Sequence, residues 1–223
     1  MSWSQAYFLW LMLIGATVFA MFWLLLLRKR LRIHAAVAVL LAVLHTAYGL
    51  CCVKAFAILE GASAGSMSLF GAVFFMPLAY FLIAKGLKRP TGTVFDLFTV
   101  PLVFTLMLAR CNCLFKGCCL GRFISGTSFC WPTRETEILF YVLFLAAVIP
   151  RVWKDKGEGR IYPLYMLSYG AFRAVNECFR ASDSGMLFHI SHIWALLAFG
   201  LGLSIYSEQK RKRISMDKRR KRK

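Results

Sequence analysis

Tyr169, Arg173, Glu177 and Arg180 follow one another at spacings of four, four and three residues. On a helix that spacing places them on one face. The segment around them, Ile161 to Phe179, is largely apolar. An i,i+4 Arg–Glu pair that neutralises itself against neighbouring helices accounts for Arg173 and Glu177. It does not account for a tyrosine and a second arginine extending the stripe. Helices pack in lipid without charge, so charged residues inside a membrane segment point to a functional site. A second polar stretch, Ala109 to Arg122, reads A-R-C-N-C-L-F-K-G-C-C-L-G-R. Snorkelling from a helix end explains Lys116 and Arg122 equally well, but Arg110 directly continues an apolar run. Guanidinium groups converging at a membrane surface suit a phospholipid phosphate, which arginine engages through paired, charge-assisted hydrogen bonds.

The cysteines of this stretch, Cys111, Cys113, Cys118 and Cys119, open several readings. A zinc framework favours C-x₂-C with a second pair further on, and C-x-C followed by adjacent C-C fits it poorly. A redox pair would want C-x-x-C, which is absent here. Disulfides bracing an outward-facing loop and simple packing of small side chains both remain open. We therefore expect no metal and no cofactor. Among the histidines, His34 reads as interfacial and His45 as a helix–helix hydrogen-bonding residue. His189 and His192 open the last apolar segment close to the basic cluster.

The elements that must position these residues are membrane helices. The chain has 223 residues, 59% of them hydrophobic, with a mean hydropathy of +0.62, well above a soluble domain. Apolar runs predict spans near Ala6–Leu27, Ala35–Leu59, Leu69–Ala84, Val94–Leu108, Ile138–Ile149, Ile161–Phe179 and Met186–Tyr206, with Arg110 to Glu137 irregular between the fourth and fifth. Basic clusters at Arg28–Arg32, Lys85–Arg89, Arg151–Arg160 and Lys210–Lys223 alternate with poorly charged loops. By the positive-inside rule, the N-terminus is then outside and the C-terminus inside. The first span is not a cleavable signal, since its basic cluster follows the apolar run. The net charge of +18 is largely this pattern, ten of the 28 basic residues lying in the tail. That tail is expected to be disordered and drawn to anionic lipid; with no aromatic residues interleaved, no nucleic-acid partner is expected. The chain divides into a transmembrane domain, 1–208, and a basic cytoplasmic tail, 209–223.

The two polar stretches resemble those of the prolipoprotein diacylglyceryl transferase family. Its Gly-Arg-Ile-Gly-Asn-Phe-x-Asn-Gly-Glu-x-x-Gly element is similar to Ala109–Gly121 and aligns with Arg110, Gly117 and Gly121. Divergent members carry a Gly-Cys-Cys-x-Gly form, as in Gly117–Gly121 here. The family's Tyr-Gly-x-x-Arg-Phe-x-x-Glu-x-x-Arg matches Tyr169, Gly170, Arg173, Glu177 and Arg180. Pro132, Thr133 and Glu137 resemble its His-Pro-Thr-Gln-x-Tyr-Glu element. The resemblance runs from about Ser66 to the end of the last span. It departs from the family where Phe70 stands in the place of a histidine and Cys113 and Cys118 replace an asparagine and a glutamate. The loop between the first element and the fifth span is also shorter than in typical members.

The resemblance implies an all-helical, multi-pass protein of the bacterial cytoplasmic membrane. Its implied activity moves diacylglyceryl from phosphatidylglycerol to the lipobox cysteine of a prolipoprotein. Arg110, Arg173, Glu177 and Tyr169 are then the expected catalytic residues. Arg180, Gly117, Gly121, Cys113 and His192 are expected to bind substrate. With Phe70 unable to act as a base, the acceptor thiol would depend on the positive field or on His189 and His192. The alternative is a catalytically impaired relative that binds anionic phospholipid or lipoprotein precursor.

Overall fold

Each expected apolar run forms a helix over its described residues, and the start of the last one, residues 186–189, lies outside them. The computed structural model describes residues 3–62, 66–123, 130–180 and 190–221, with side chains between 7 and 211 of these. The helices are α1 (Trp3–Leu31), α2 (Ala35–Leu59), α3 (Phe70–Gly86), α4 (Thr91–Lys116), α5 (Thr133–Trp153), α6 (Ile161–Glu177) and α7 (Ile190–Lys221). Among the described residues there is no β-strand, only two isolated bridges. Helices α1, α2, α4, α5 and α7 are long and apolar enough to cross a membrane, as expected of a polytopic membrane protein. The 17 residues of α3 and of α6 reach only about 25 Å at 1.5 Å per residue, short of about 30 Å of hydrocarbon.

Three expectations need correction. The stretch from Arg110 is not irregular until Gly117, because α4 continues for two turns past Leu108. Nothing between Leu108 and Lys116 breaks a helix, and Gly117, at φ +66°, supplies the left-handed residue that ends it. Likewise α5 starts at Thr133 rather than Ile138, directly after Pro132 and with Glu135 in its first turn. Glu137 therefore lies inside the helix, and the fifth span is 21 residues long. The tail also differs from expectation: α7 continues as helix to Lys221.

Helix α4 is the centre of the bundle, more than half of its apolar stretch buried against α1, α3, α5 and α6. Two internal prolines join it and α3 to their neighbours. Pro101 has no N–H for the carbonyl of Leu97, and the indole of Trp23 on α1 donates to that oxygen at 2.9 Å. Pro77 frees the carbonyl of Val73 in the same way, and the hydroxyl of Tyr162 on α6 donates to it. Both repairs satisfy a backbone group that lipid would leave bare. Helix α6 is held by α4 at its start. Asp96 accepts from the N–H groups of Gly159 at 2.7 Å and Ile161 at 3.0 Å. It does the work of an N-cap for α6, whose own Arg160 makes no cap bond; such a cap is typically worth about 1 kcal/mol. Against α7, Gly170 is a contact point: a Cβ there would come within 2.5 Å of Phe199 N.

These contacts sort the bundle into two ends. Arg30 donates to the carbonyls of Val152 and Trp153, Arg89 to that of Leu31, and Gln209 to that of Gly159. The basic ends of α1, α3, α5 and α7 thus lie together. The end of α4 meets the start of α5 and the end of α6 at the opposite end of the bundle.

Candidate functional site

At that opposite end, five charged side chains form a continuous buried chain. Glu137, one turn into α5, is its hub. Its Oε2 lies 2.8 Å from Arg110 Nε and 2.7 Å from Arg173 Nη1. Its Oε1 accepts from the Tyr141 hydroxyl at 3.0 Å and the Tyr169 hydroxyl at 3.5 Å. The chain continues from Arg173 Nη2 to Glu177 Oε2 at 2.7 Å, and from Glu177 Oε1 to Arg180 Nη1 at 3.2 Å. Arg110, Glu137, Arg173 and Glu177 are all buried. Burying so many charges is tolerable only because each faces an opposite one.

The pairing is close but incomplete. Arg110 Nε meets Glu137 Oε2, and Glu177 Oε2 meets Arg173 Nη2, at ion-pair distance without an aligned hydrogen bond, while Arg173 Nε is buried with no hydrogen-bond acceptor. Donors left over in a buried cluster are what an incoming anion would satisfy. A small cleft is lined by Arg110, Arg134, Arg173 and Arg180 together with Glu137 and Cys119. Four arginines line this cleft beside one carboxylate, with Glu177 pairing Arg173 and Arg180 and Glu135 pairing Arg134 around it. Its volume, about 10 Å³, suits a single water, so a phosphate requires a side chain to swing out. Arg180, with 32% of its side chain exposed, is the one free to do so.

The loop between α4 and α5 is bound into the cluster through its backbone. Thr133 Oγ1 donates to the Cys119 carbonyl at 2.9 Å and Arg134 to the Cys118 carbonyl at 3.3 Å. The Arg122 amide donates to the Phe179 carbonyl at 2.7 Å, and Gly121 bridges to Arg180. Trp131 stacks on Phe179 with ring centres 4.5 Å apart. A side chain at Gly121 would place its Cβ 1.9 Å from the Trp131 carbonyl oxygen, so only glycine lets these strands of loop close. Asn176 on α6 donates to the Thr133 carbonyl at 3.1 Å and accepts from Thr136 at 3.1 Å. These bonds register α6 against the start of α5.

Cys119 faces two of the arginines. Its Sγ lies 3.5 Å from Arg180 Nη2 and 3.9 Å from Arg110 Nη1. A hydrogen bond from Cys113 and the two guanidinium charges, working against burial, hold its thiol down at about 4. Burial and the negative charge of Cys119 push the Cys118 thiol up. None of the eight cysteines is paired in a disulfide in this structure.

The structure brings together Arg110, Arg173, Glu177, Arg180 and Tyr169, and sets Cys113 beside Cys119. Tyr169 is fully buried, with its hydroxyl towards Glu137. Gly117 ends α4 and Gly121 permits loop closure, both backbone tasks. His192 sits 3.5 Å from Cys178 Sγ, and His189 lies outside the described residues. Lys116 and Arg122 do not line the cleft. Phe70 opens α3, buried, its ring centre 6.0 Å from the Arg173 guanidinium and 6.0 Å from the Tyr169 ring. Sequence reasoning about site chemistry passed over Arg134 and Asn176, and it gave Glu137 no role in the site. Pro132-Thr133 and Glu137 carried the only signal for the hub, through their resemblance to a family element.

The family model for prolipoprotein diacylglyceryl transferase matches residues 37–207, from the start of α2 into α7. The match begins further towards the N-terminus than Ser66. Similar curated relatives are phosphatidylglycerol–prolipoprotein diacylglyceryl transferases of Dehalococcoides mccartyi. The chain is 23% identical to that of strain 195 and 22% identical to that of strain BAV1, over 172 residues in each case. Each alignment covers 70% of this chain and 66% of the relative, so the chain spans about two thirds of the relatives' length. With the family match extending over most of the chain and over every helix of the site, the protein belongs to the prolipoprotein diacylglyceryl transferase family.

Proposed function

We propose that the protein transfers the diacylglyceryl group of phosphatidylglycerol to the lipobox cysteine of a prolipoprotein at the outer face of a bacterial cytoplasmic membrane. The observation that carries this reading is the Arg110–Glu137–Arg173–Glu177–Arg180 chain, buried from Arg110 to Glu177, with its three converging arginines and the unpartnered Nε of Arg173. Its position opposite the basic helix ends agrees with an outer-leaflet site under the positive-inside rule.

In the reaction, the acceptor sulfur bonds to the terminal glyceryl carbon of the diacylglyceryl group. The carbon–oxygen bond to phosphate breaks, and glycerol phosphate leaves with the bonding pair. Negative charge grows on the phosphate as that bond lengthens. Arg110, Arg173 and Arg180 are placed to hold it, and donors set in advance in a water-poor site are the most effective form of such stabilisation. Glu137 and Glu177 hold the arginines in position, and Tyr141 and Tyr169 fix Glu137 in turn. Phe70 supplies no base beside Arg173, which favours a second reading, a relative that binds the lipid or the precursor without turnover. Complementation of a strain depleted of its own transferase, with phosphatidylglycerol binding measured in parallel, tests both. Growth with lipidated precursor supports transfer. Lipid binding without growth supports the second reading, and neither outcome would discard both.

A further inference from the structure

The cysteines of the loop form a group that the sequence spacing concealed. Gly117, in the left-handed conformation, reverses the chain at the end of α4, and the Cys118 amide returns to the Cys113 carbonyl at 3.3 Å. Cys119 follows at φ +59°, a conformation that residues other than glycine seldom adopt and that gathers at functional sites. The turn brings Cys113, Cys118 and Cys119 sulfurs within 4.8 Å of one another. Thiolates on a tetrahedral zinc, with bonds of about 2.3 Å, stand about 3.8 Å apart. Closing around an ion therefore takes a contraction of about 1 Å, and Cys118 is exposed and free to make it.

We propose that Cys113, Cys118 and Cys119 bind Zn²⁺ as a three-thiolate site whose fourth position takes the thiol of the acceptor cysteine. Its catalytic part rests on the transfer reading above. Thiolate is the donor that selects zinc over the hard cations. Three protein ligands with one position open is the pattern of a catalytic rather than a structural zinc. Among the described residues no fourth histidine, cysteine or carboxylate joins the group. Three thiolates leave a zinc site with a net negative charge, and the Arg180 and Arg110 guanidinium groups reach Cys119 Sγ at 3.5 and 3.9 Å to offset it. The carbonyls of Cys118 and Cys119 are tied to Arg134 and Thr133, which orients both residues as outer-shell contacts do in metal sites.

The site answers the chemical gap left by Phe70. A thiol that coordinates zinc gives up its proton outright, here to water at the open face, with no side-chain base required. The bound sulfur keeps its nucleophilic pair and attacks the glyceryl carbon while the carbon–oxygen bond breaks towards the phosphate. The thioether product is neutral and a weaker ligand than thiolate, so it leaves the ion. The same two arginines that border Cys119 also belong to the phosphate-facing cluster, which puts nucleophile and leaving group on adjacent partners.

The test uses the full chain in detergent, reduced, stripped with chelator and titrated with Co²⁺ as an optical stand-in for zinc. One equivalent should give a thiolate-to-cobalt charge-transfer band. That band should fall by at least about a third, and the Co²⁺ affinity with it, in Cys113→Ser, Cys118→Ser and Cys119→Ser, and should be unchanged in Cys111→Ser. A lipobox peptide should raise the band by about a third, as three thiolates become four, and its serine analogue should not. Stoichiometric Zn²⁺ in the purified protein and transfer lost on stripping and restored by Zn²⁺ would complete the case. No thiolate band, a band indifferent to the three serine variants, or preferential retention of Cu⁺ overturns the site. Full transfer by the stripped protein overturns its catalytic role while leaving the transfer reading intact. A peptide-responsive band without transfer supports the metal site and instead removes the transfer reading.

Discussion

Glu137 carries the sharpest prediction. Its carboxylate, 1% exposed, neutralises Arg110 and Arg173 at 2.8 and 2.7 Å and accepts from two tyrosine hydroxyls. Glu137→Ala leaves both guanidinium groups buried with one carboxylate, Glu177, remaining nearby. Removing one partner of a buried ion pair costs about 3–5 kcal/mol. The two pairs share one carboxylate, so their losses do not simply add. At about 2–4 °C per kcal/mol for a chain of this size, thermal unfolding in detergent should fall by roughly 6–20 °C. Glu137→Gln keeps the shape and an acceptor but not the charge, so it should fall between alanine and wild type. A double-mutant cycle with Arg110→Met separates the pair from the cavity: Arg110→Met should cost much less in Glu137→Ala than in wild type. A Glu137→Ala midpoint within about 2 °C of wild type, or strict additivity in the cycle, would refute the hub.

The other predictions concern the arginines, Phe70 and orientation. Arg110→Ala and Arg173→Ala should each abolish transfer or lipid binding while the protein still inserts; lysine should rescue poorly because it offers no bidentate fork. Full function in the lysine variants, measured by precursor lipidation, would mean that charge alone suffices. Phe70→His places an imidazole near Arg173, and general-base help is typically worth about 10²–10⁴-fold. A measurable rise in transfer is expected, and no change would show that the site does not use a base there. A C-terminal reporter should be active only in the cytoplasm; activity only on the other side would reverse the orientation and place the arginine cluster inside.

Much of this architecture is legible along the chain because its causes are local. Long apolar runs become helices wherever lipid forbids unpaired backbone groups, and the i,i+4 spacing put Arg173 beside Glu177 before any fold was known. Helix ends were less legible. The polar residues after Leu108 suggested a loop, yet charge and cysteine do not end a helix, and α4 ran on until Gly117. That extension keeps Arg110 and Cys113 on one rigid rod. Which residues meet across helices was decided only by tertiary packing. Glu137 is 27 residues from Arg110 and 36 from Arg173, and no periodicity links them. Pro101 with Trp23, Pro77 with Tyr162, and Asp96 at the start of α6 set the register that brings them together. The cysteine group is the clearest case. C-x-C and C-C look unrelated in sequence, and one left-handed glycine turns them into neighbours. The sequence alone determined the helices and their polar stripes, since those depend on neighbours a few residues apart. The shared carboxylate and the three converging thiols required the folded chain, since they depend on backbone reversals and helix contacts that residue spacing does not encode.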